Sequence, residues 1–202
     1  DKIVLRFAPS PTGPLHIGGV RTALYNYLLA KKTGGRFILR IEDTDQNRYV
    51  EGAEEYIIQA LRWVGIEFNE GVGAGGEKGP YRQSERKSMY RQFADQLIAS
   101  VIAYYAVDSP EELDAMREVV KAAGSSNLQY NFAVRGRMKN SLSLSKEEVA
   151  ERLASGDPYV IRMKMPRKEE IRFHDMIRKW VVFQSNQLDD KILLKGDGMP
   201  TY

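Results

Sequence analysis

The sequence predicts an α/β fold: a parallel sheet wound from alternating strands and helices, then interrupted by an α+β module. Three observations carry this prediction. Short apolar runs alternate with stretches of helical apolar spacing over residues 1–100. That alternation is lost from about Val101 onward. The first strand also enters the first helix through a tight loop, RFAPSPTGPLHIGG, with prolines, glycines and a histidine at the helix entrance.

Taken in order, Ile3 to Phe7 reads as a strand, and Val20, Ala23, Leu24, Tyr27 and Leu28 recur at helical spacing behind the loop. Unpaired backbone N–H groups at such a helix start suit a phosphate. Gly18 and Gly19 would let a ligand lie against the backbone, and His16 could donate to an oxygen whose charge grows during reaction. By themselves these residues fit better a βα turn in which the glycines permit close packing and His16 is solvated. Gly34-Gly35 ends the helix, and Arg36 to Ile41 is the second strand. Val50, Ala53, Ile57, Leu61 and Val64 mark a second helix closed by Gly65, and Ile66 to Phe68 reads as a third short strand. GVGAGGEKG (71–79) is expected to be a mobile loop, because Gly79-Pro80 stands where a helix would have to open. Ser84 is expected to cap a helix carrying Met89, Phe93, Leu97 and Ile98.

Beyond this point the texture changes. Ala103 to Val107 is a strand, Ser109-Pro110-Glu111-Glu112 starts a helix, and Ser145-Lys146-Glu147-Glu148 starts another that Gly156 ends. Tyr159 to Met165, Ile171 to His174, Val181 to Phe183 and Ile192 to Lys195 are strands, the last returning the chain to the first domain. The predicted boundaries are a first half of one domain over 1–100, an inserted module over 101–187, and a return over 188–202.

Composition narrows the function. Lys and Arg number 30 against 27 Asp and Glu, so net charge alone does not mark a nucleic-acid binder. Basic residues nonetheless gather at Arg135, Arg137 and Lys139 and from Arg162 to Lys179, as a mixed polar surface or as phosphate contacts. The absence of cysteine excludes disulfides and thiolate metal sites, and two histidines argue against a histidine-rich zinc site. No apolar run approaches the roughly 20 residues that span a bilayer, and a cytoplasmic protein without membrane partners is expected. A chain that opens on Asp1 and stops at Tyr202 is expected to be part of something longer.

The loop and helix entrance resemble the HIGH signature of class I aminoacyl-tRNA synthetases, in the form of the glutamyl branch, where APSPTG precedes it and glycine takes the fourth place. Matches follow in order at RFILRIEDTD (36–45), GPYRQSER (79–86), LDDK (188–191) and GMPTY (198–202). The resemblance implies a Rossmann-like nucleotide-binding sheet split by an insertion that binds the tRNA acceptor stem. It implies activation of L-glutamate with ATP to glutamyl-adenylate, then transfer to the 3′ end of tRNA(Glu), by a monomer. Catalysis of this kind rests on positioning and charge stabilisation.

By the same resemblance Arg6 binds the substrate's side-chain carboxylate, for which a guanidinium fork is suited. Glu42, at the end of the second strand, takes the substrate ammonium. Ala8 and Ser10 line the amino-acid site and Tyr202 packs against it. His16, Gly18, Gly19, Pro9 and Thr12 hold ATP, with Mg²⁺ carried in on the phosphates rather than by protein ligands. His174 is a surface or packing residue. Some relatives carry zinc in the insertion; here the corresponding places read Ala106 and Asp108, so no zinc is expected. Val101 and Lys179 stand where glycine is usual. The lysine-bearing KMSKS-type loop does not occur within these residues, so the chain alone is expected to be nearly inactive. A glutamyl-queuosine tRNA(Asp) synthetase and a non-catalytic RNA-binding fragment are the alternative readings.

Overall fold

The computed structural model describes residues 2–201, which fall into two compact units, one running to Ser88 and the other Met89–Thr201. In the first unit β1 (Val4–Phe7), β2 (Arg36–Leu39) and β3 (Glu70–Gly71) form a parallel sheet in that order. β1 and β2 pair in register from Val4↔Arg36 to Phe7↔Leu39, and β3 joins at Ile38↔Glu70. The crossovers are α1 (Ile17–Thr33) and α2 (Ala53–Trp63). Phe7, Ala23, Ala30, Phe37, Leu39, Ile41, Ile57 and Leu61 make the core between sheet and helices. Val20 and Tyr27 of α1 pack against it, whereas Leu24 and Leu28, which share their spacing, stay exposed.

The third strand differs from the expected Ile66 to Phe68. Ile66 is buried and apolar, but its N–H closes α2 by donating to the Leu61 carbonyl at 2.9 Å, so it cannot open a ladder. Pairing begins only where Asn69 N–H donates to the Phe37 carbonyl. The glycine loop that follows is organised around a buried charge. Glu70 pairs with Arg36 and accepts from the Lys78 N–H and the Tyr81 hydroxyl, both at 2.7 Å. A Cβ on Gly71 would sit 2.4 Å from the Leu39 carbonyl oxygen, and φ there is +143°, so only glycine fits.

The second unit starts with most of α3 (Lys87–Ala99). Ser84 does not cap that helix; its hydroxyl donates to Asp43, and a 3₁₀ turn at Ser84–Arg86 precedes Lys87. β4 (Ala103–Ala106), β5 (Val160–Met163) and β8 (Ile192–Leu194) form an antiparallel sheet in the order β4-β5-β8. The strand expected to return to the first sheet is thus paired within the second unit. α4 (Pro110–Ala122) opens on a full capping box between Ser109 and Glu112, and α5 (Lys146–Ala154) on the Ser145 hydroxyl. β6 (Glu170–Asp175) and β7 (Lys179–Gln184) form a two-stranded hairpin, where His174 packs edge-on against Trp180.

Two residues counted with the basic clusters are interior. Arg135 and Arg162 are both buried and serve Asp190: Arg135 through its carboxylate, Arg162 through its carbonyl. Arg162 also lies 4.1 Å from the centre of the Tyr130 ring. Asp108 accepts from the Lys139 N–H at 2.7 Å and from the Tyr130 hydroxyl, and burial pushes its carboxyl up from the usual carboxylate range. Ala106, beside it, is buried in β4.

All five α-helices among the described residues end alike. A left-handed residue donates back into the last turn and the next N–H reaches one carbonyl further, the Schellman arrangement. Gly34, Gly65, Gly124 and Gly156 fill the left-handed place in four, with φ of 62° to 80°; Val101 fills it in α3 at 58°. Lys179 takes the same conformation at the start of β7. A β-branched residue there crowds its own backbone, at a cost of about 1–2 kcal/mol, against which glycine loses roughly 0.5–1 kcal/mol in chain entropy. Val101→Gly should therefore stabilise the chain by about 1 kcal/mol in urea unfolding. A lower midpoint for the variant would show that Val101 makes compensating contacts.

Candidate active site

The site is built at the carboxyl ends of β1 and β2, where open parallel sheets leave room for ligands. The chain leaving β1 is tied to the chain leaving β2. Arg40 N–H donates to the Phe7 carbonyl and Glu42 N–H to the Pro9 carbonyl, both at 2.9 Å, and Val50 N–H reaches Pro11 at 3.0 Å. Pro11 is fully buried, so the APSP stretch is anchored at its centre. Thr12 N–H turns back onto the Ser10 carbonyl. A third segment flanks Ile41, whose N–H donates to Tyr81 while its carbonyl accepts from Gln83 N–H. Arg82 forks onto both oxygens of Glu54 in α2 at 2.7 and 2.8 Å, and that carboxylate with Glu85 raises the guanidinium's pKa further.

Two residues singled out from the sequence meet directly. Arg6 Nη1 lies 3.0 Å from Glu42 Oε1, and the pair is lopsided: the arginine side chain is 47 % exposed, the glutamate 6 %. Glu42 accepts further from Gln83 Nε2 at 3.1 and 3.0 Å, and Gln83 Oε1 in turn accepts from Arg40 Nη2 at 2.7 Å. Asp43, next in sequence, accepts from the Ser84 N–H at 2.9 Å and from its hydroxyl, which locks the turn after Glu42. Ala8 and Pro9 are half-buried beside this cluster in sequence, and Ser10 is exposed.

At the far end of the same loop His16 is the N-cap of α1. Its Nδ1 accepts from the Gly18 N–H at 3.0 Å, which leaves Nε2 as the nitrogen able to donate outward. The imidazole accordingly folds over the first turn. A Cβ on Gly18 would come within 2.7 Å of His16 Cε1, and one on Gly19 within 2.5 Å of Leu15 Cδ1. Here the close approach that these glycines permit is made by the chain's own side chains, and three helix-start N–H groups are already taken: Gly18 by His16 Nδ1, and Gly19 and Val20 by the His16 carbonyl at 2.9 and 3.2 Å. Tyr202 lies outside the described residues.

Gln83 and Arg40 had no role in the sequence reading. Their signal was present in the extended stretch Tyr81-Arg82-Gln83, where alternation puts Gln83 on the same face as the buried Tyr81. The chemistry available is recognition of a ligand carrying both signs of charge, beside a helix start able to receive an anion.

The family model described as tRNA synthetases class I (E and Q), catalytic domain, matches residues 2–202. The chain is 64% identical over 201 residues to a protein of Cytophaga hutchinsonii named glutamate–tRNA ligase, covering 100% of this chain and 39% of that one. It is 63% identical over 200 residues to the protein of the same name from Amoebophilus asiaticus, covering 99% and 39%. Among solved structures, it is similar to the glutamate tRNA ligase of Elizabethkingia meningosepticum crystallised in complex with its amino acid. There the TM-score is 0.95 at 53% identity, over 100% of this chain and 40% of that one. The chain thus spans about 40% of the length of these relatives.

Proposed function

Since this chain belongs to the catalytic-domain family of class I tRNA synthetases for glutamate and glutamine, we propose that it is the amino-terminal part of a cytoplasmic, monomeric glutamate–tRNA ligase. The whole protein joins the α-carboxylate of L-glutamate to the α-phosphorus of ATP and releases pyrophosphate. It then passes the glutamyl group from the adenylate to the 3′ end of tRNA(Glu), releasing AMP.

In this reading Arg6 grips the substrate's side-chain carboxylate and Glu42 its ammonium, with Ala8 and Ser10 lining the same stretch and Tyr202 packing on the amino acid. ATP lies at the start of α1 against Pro9, Thr12, His16, Gly18 and Gly19. The site suits it: His16 Nε2, which the Gly18 contact leaves unused, and the positive end of the α1 dipole form a polarised receptor for phosphate oxygens. Mg²⁺ arrives on those phosphates. The second unit receives the acceptor stem of the tRNA.

The observation that carries the reading is the Arg6–Glu42 pair. Two groups assigned to opposite ends of a zwitterion sit within bonding distance of each other, 3.0 Å, as complementary receptors for such a ligand should. Calorimetric titration of the full-length protein with non-hydrolysable glutamyl- and glutaminyl-adenylate analogues tests it. Selective binding of the glutamyl form is expected. Equal binding of both, or of neither, would overturn the assignment.

A further inference from the structure

Gln83 sits between an arginine and a carboxylate, and its amide is used at both ends. Arg40 can only donate, so it takes the amide oxygen, at 2.7 Å, and thereby turns the amide nitrogen toward Glu42. The nitrogen then reaches both Glu42 oxygens, at 3.1 and 3.0 Å. Glu42 is thus held from two sides, by a half-buried amide and by the much more exposed Arg6.

These two holds differ in what a substrate does to them. An arriving side-chain carboxylate competes with Glu42 for the Arg6 guanidinium. Glu42 is 6 % exposed, and a carboxylate buried to that degree is costly to leave without compensation. The substrate ammonium restores a positive charge, but a point charge fixes no orientation. Orientation must come from a group that stays in place throughout.

We propose that Gln83 is the positioning residue that keeps Glu42 aimed at the substrate ammonium while Arg6 exchanges Glu42 for the substrate's side-chain carboxylate. The proposal rests on the assignment of Arg6 and Glu42 above. Gln83 itself touches no substrate. Arg40 sets which way the amide points.

The test compares L-glutamate with L-norvaline, which keeps the ammonium and main carboxylate but lacks the side-chain carboxylate and so leaves Arg6 on Glu42, as ligands of the full-length protein and of Gln83→Met. The variant should weaken L-glutamate about tenfold or more, the loss of hydrogen bonds to a charged group. L-Norvaline, for which Arg6 still holds Glu42, should change by no more than about twofold. Should Gln83→Met fail to fold, Arg40→Met keeps the glutamine but releases its orientation, and should weaken L-glutamate alone in the same way. Equal losses for the two ligands, or none for either, overturn the role of Gln83. If the unaltered protein binds both ligands equally well, the assignment of Arg6 fails and the inference goes with it.

Discussion

On the proposed assignment, Arg6→Ala should weaken a glutamyl-adenylate analogue by roughly 10²-fold in the full-length protein and leave the glutaminyl analogue within about threefold of its starting affinity. The reasoning lies in what each ligand offers to a guanidinium already paired with Glu42 at 3.0 Å. A side-chain carboxylate replaces Glu42 like for like, so the arginine keeps a full negative partner. An amide offers only a carbonyl dipole, and accepting it means giving up an ion pair to a carboxylate that is 6 % exposed. On the proposed assignment, discrimination should come as much from the internal pair resisting the wrong ligand as from attraction to the right one. Without Arg6 neither effect survives, and the ratio of the two affinities falls toward one. A variant that kept the ratio while losing affinity for both would place the carboxylate reader elsewhere.

The largest effect on stability is expected at Asp190. Its side chain is fully buried and accepts from Arg135 Nη1 at 3.1 Å, the Tyr104 hydroxyl at 2.6 Å and the Met165 N–H at 3.1 Å. Burial and the neighbouring carboxylate together push the Tyr104 hydroxyl far up, so it stays protonated and donates. Asp190→Ala leaves the buried Arg135 charge with the Met165 carbonyl, 2.9 Å from its Nη1, as its remaining partner here. It also orphans a hydroxyl and a backbone N–H. The cost should be about 3–5 kcal/mol, read as a fall in the urea midpoint. The exposed Arg91–Asp95 pair makes the contrast: both side chains are about half in water, so Asp95→Ala should cost under about 1 kcal/mol. Similar losses at both positions would mean that the Asp190 cluster does not act as a buried network.

Local signals carried much of the fold. Apolar spacing placed the helices, and Ser109, Ser145 and the closing glycines placed their ends, because caps satisfy backbone groups within one turn. The parallel pairing of β1 with β2 followed from strand–helix alternation. What escaped was set by distant partners. Ile66 reads as strand by its side chain, yet its N–H belongs to α2. Ser84 reads as a cap, yet its hydroxyl belongs to Asp43. Glu70 and Asp190 are charged residues that hydrophobic patterning assigns to the surface, and both are interior because several donors converge on them. In the candidate site Arg6, Glu42 and His16 were singled out by resemblance. The couplings of Arg6 to Glu42, of Gln83 to Arg40, and of the His16 ring to Gly18 depend on geometry that no spacing encodes.

The helix ends carry a consequence for how this lineage drifts. Valine and glycine codons differ by a single base, so the left-handed position of each helix lies one mutation from the other residue. At Gly34, Gly65, Gly124 and Gly156 that step crowds the backbone and should be purged whenever stability is marginal. At Val101 the step runs the other way, toward relief. The third helix therefore holds an unused margin: a Val101→Gly substitution there could carry the chain through a later substitution in the candidate site that it could not otherwise survive.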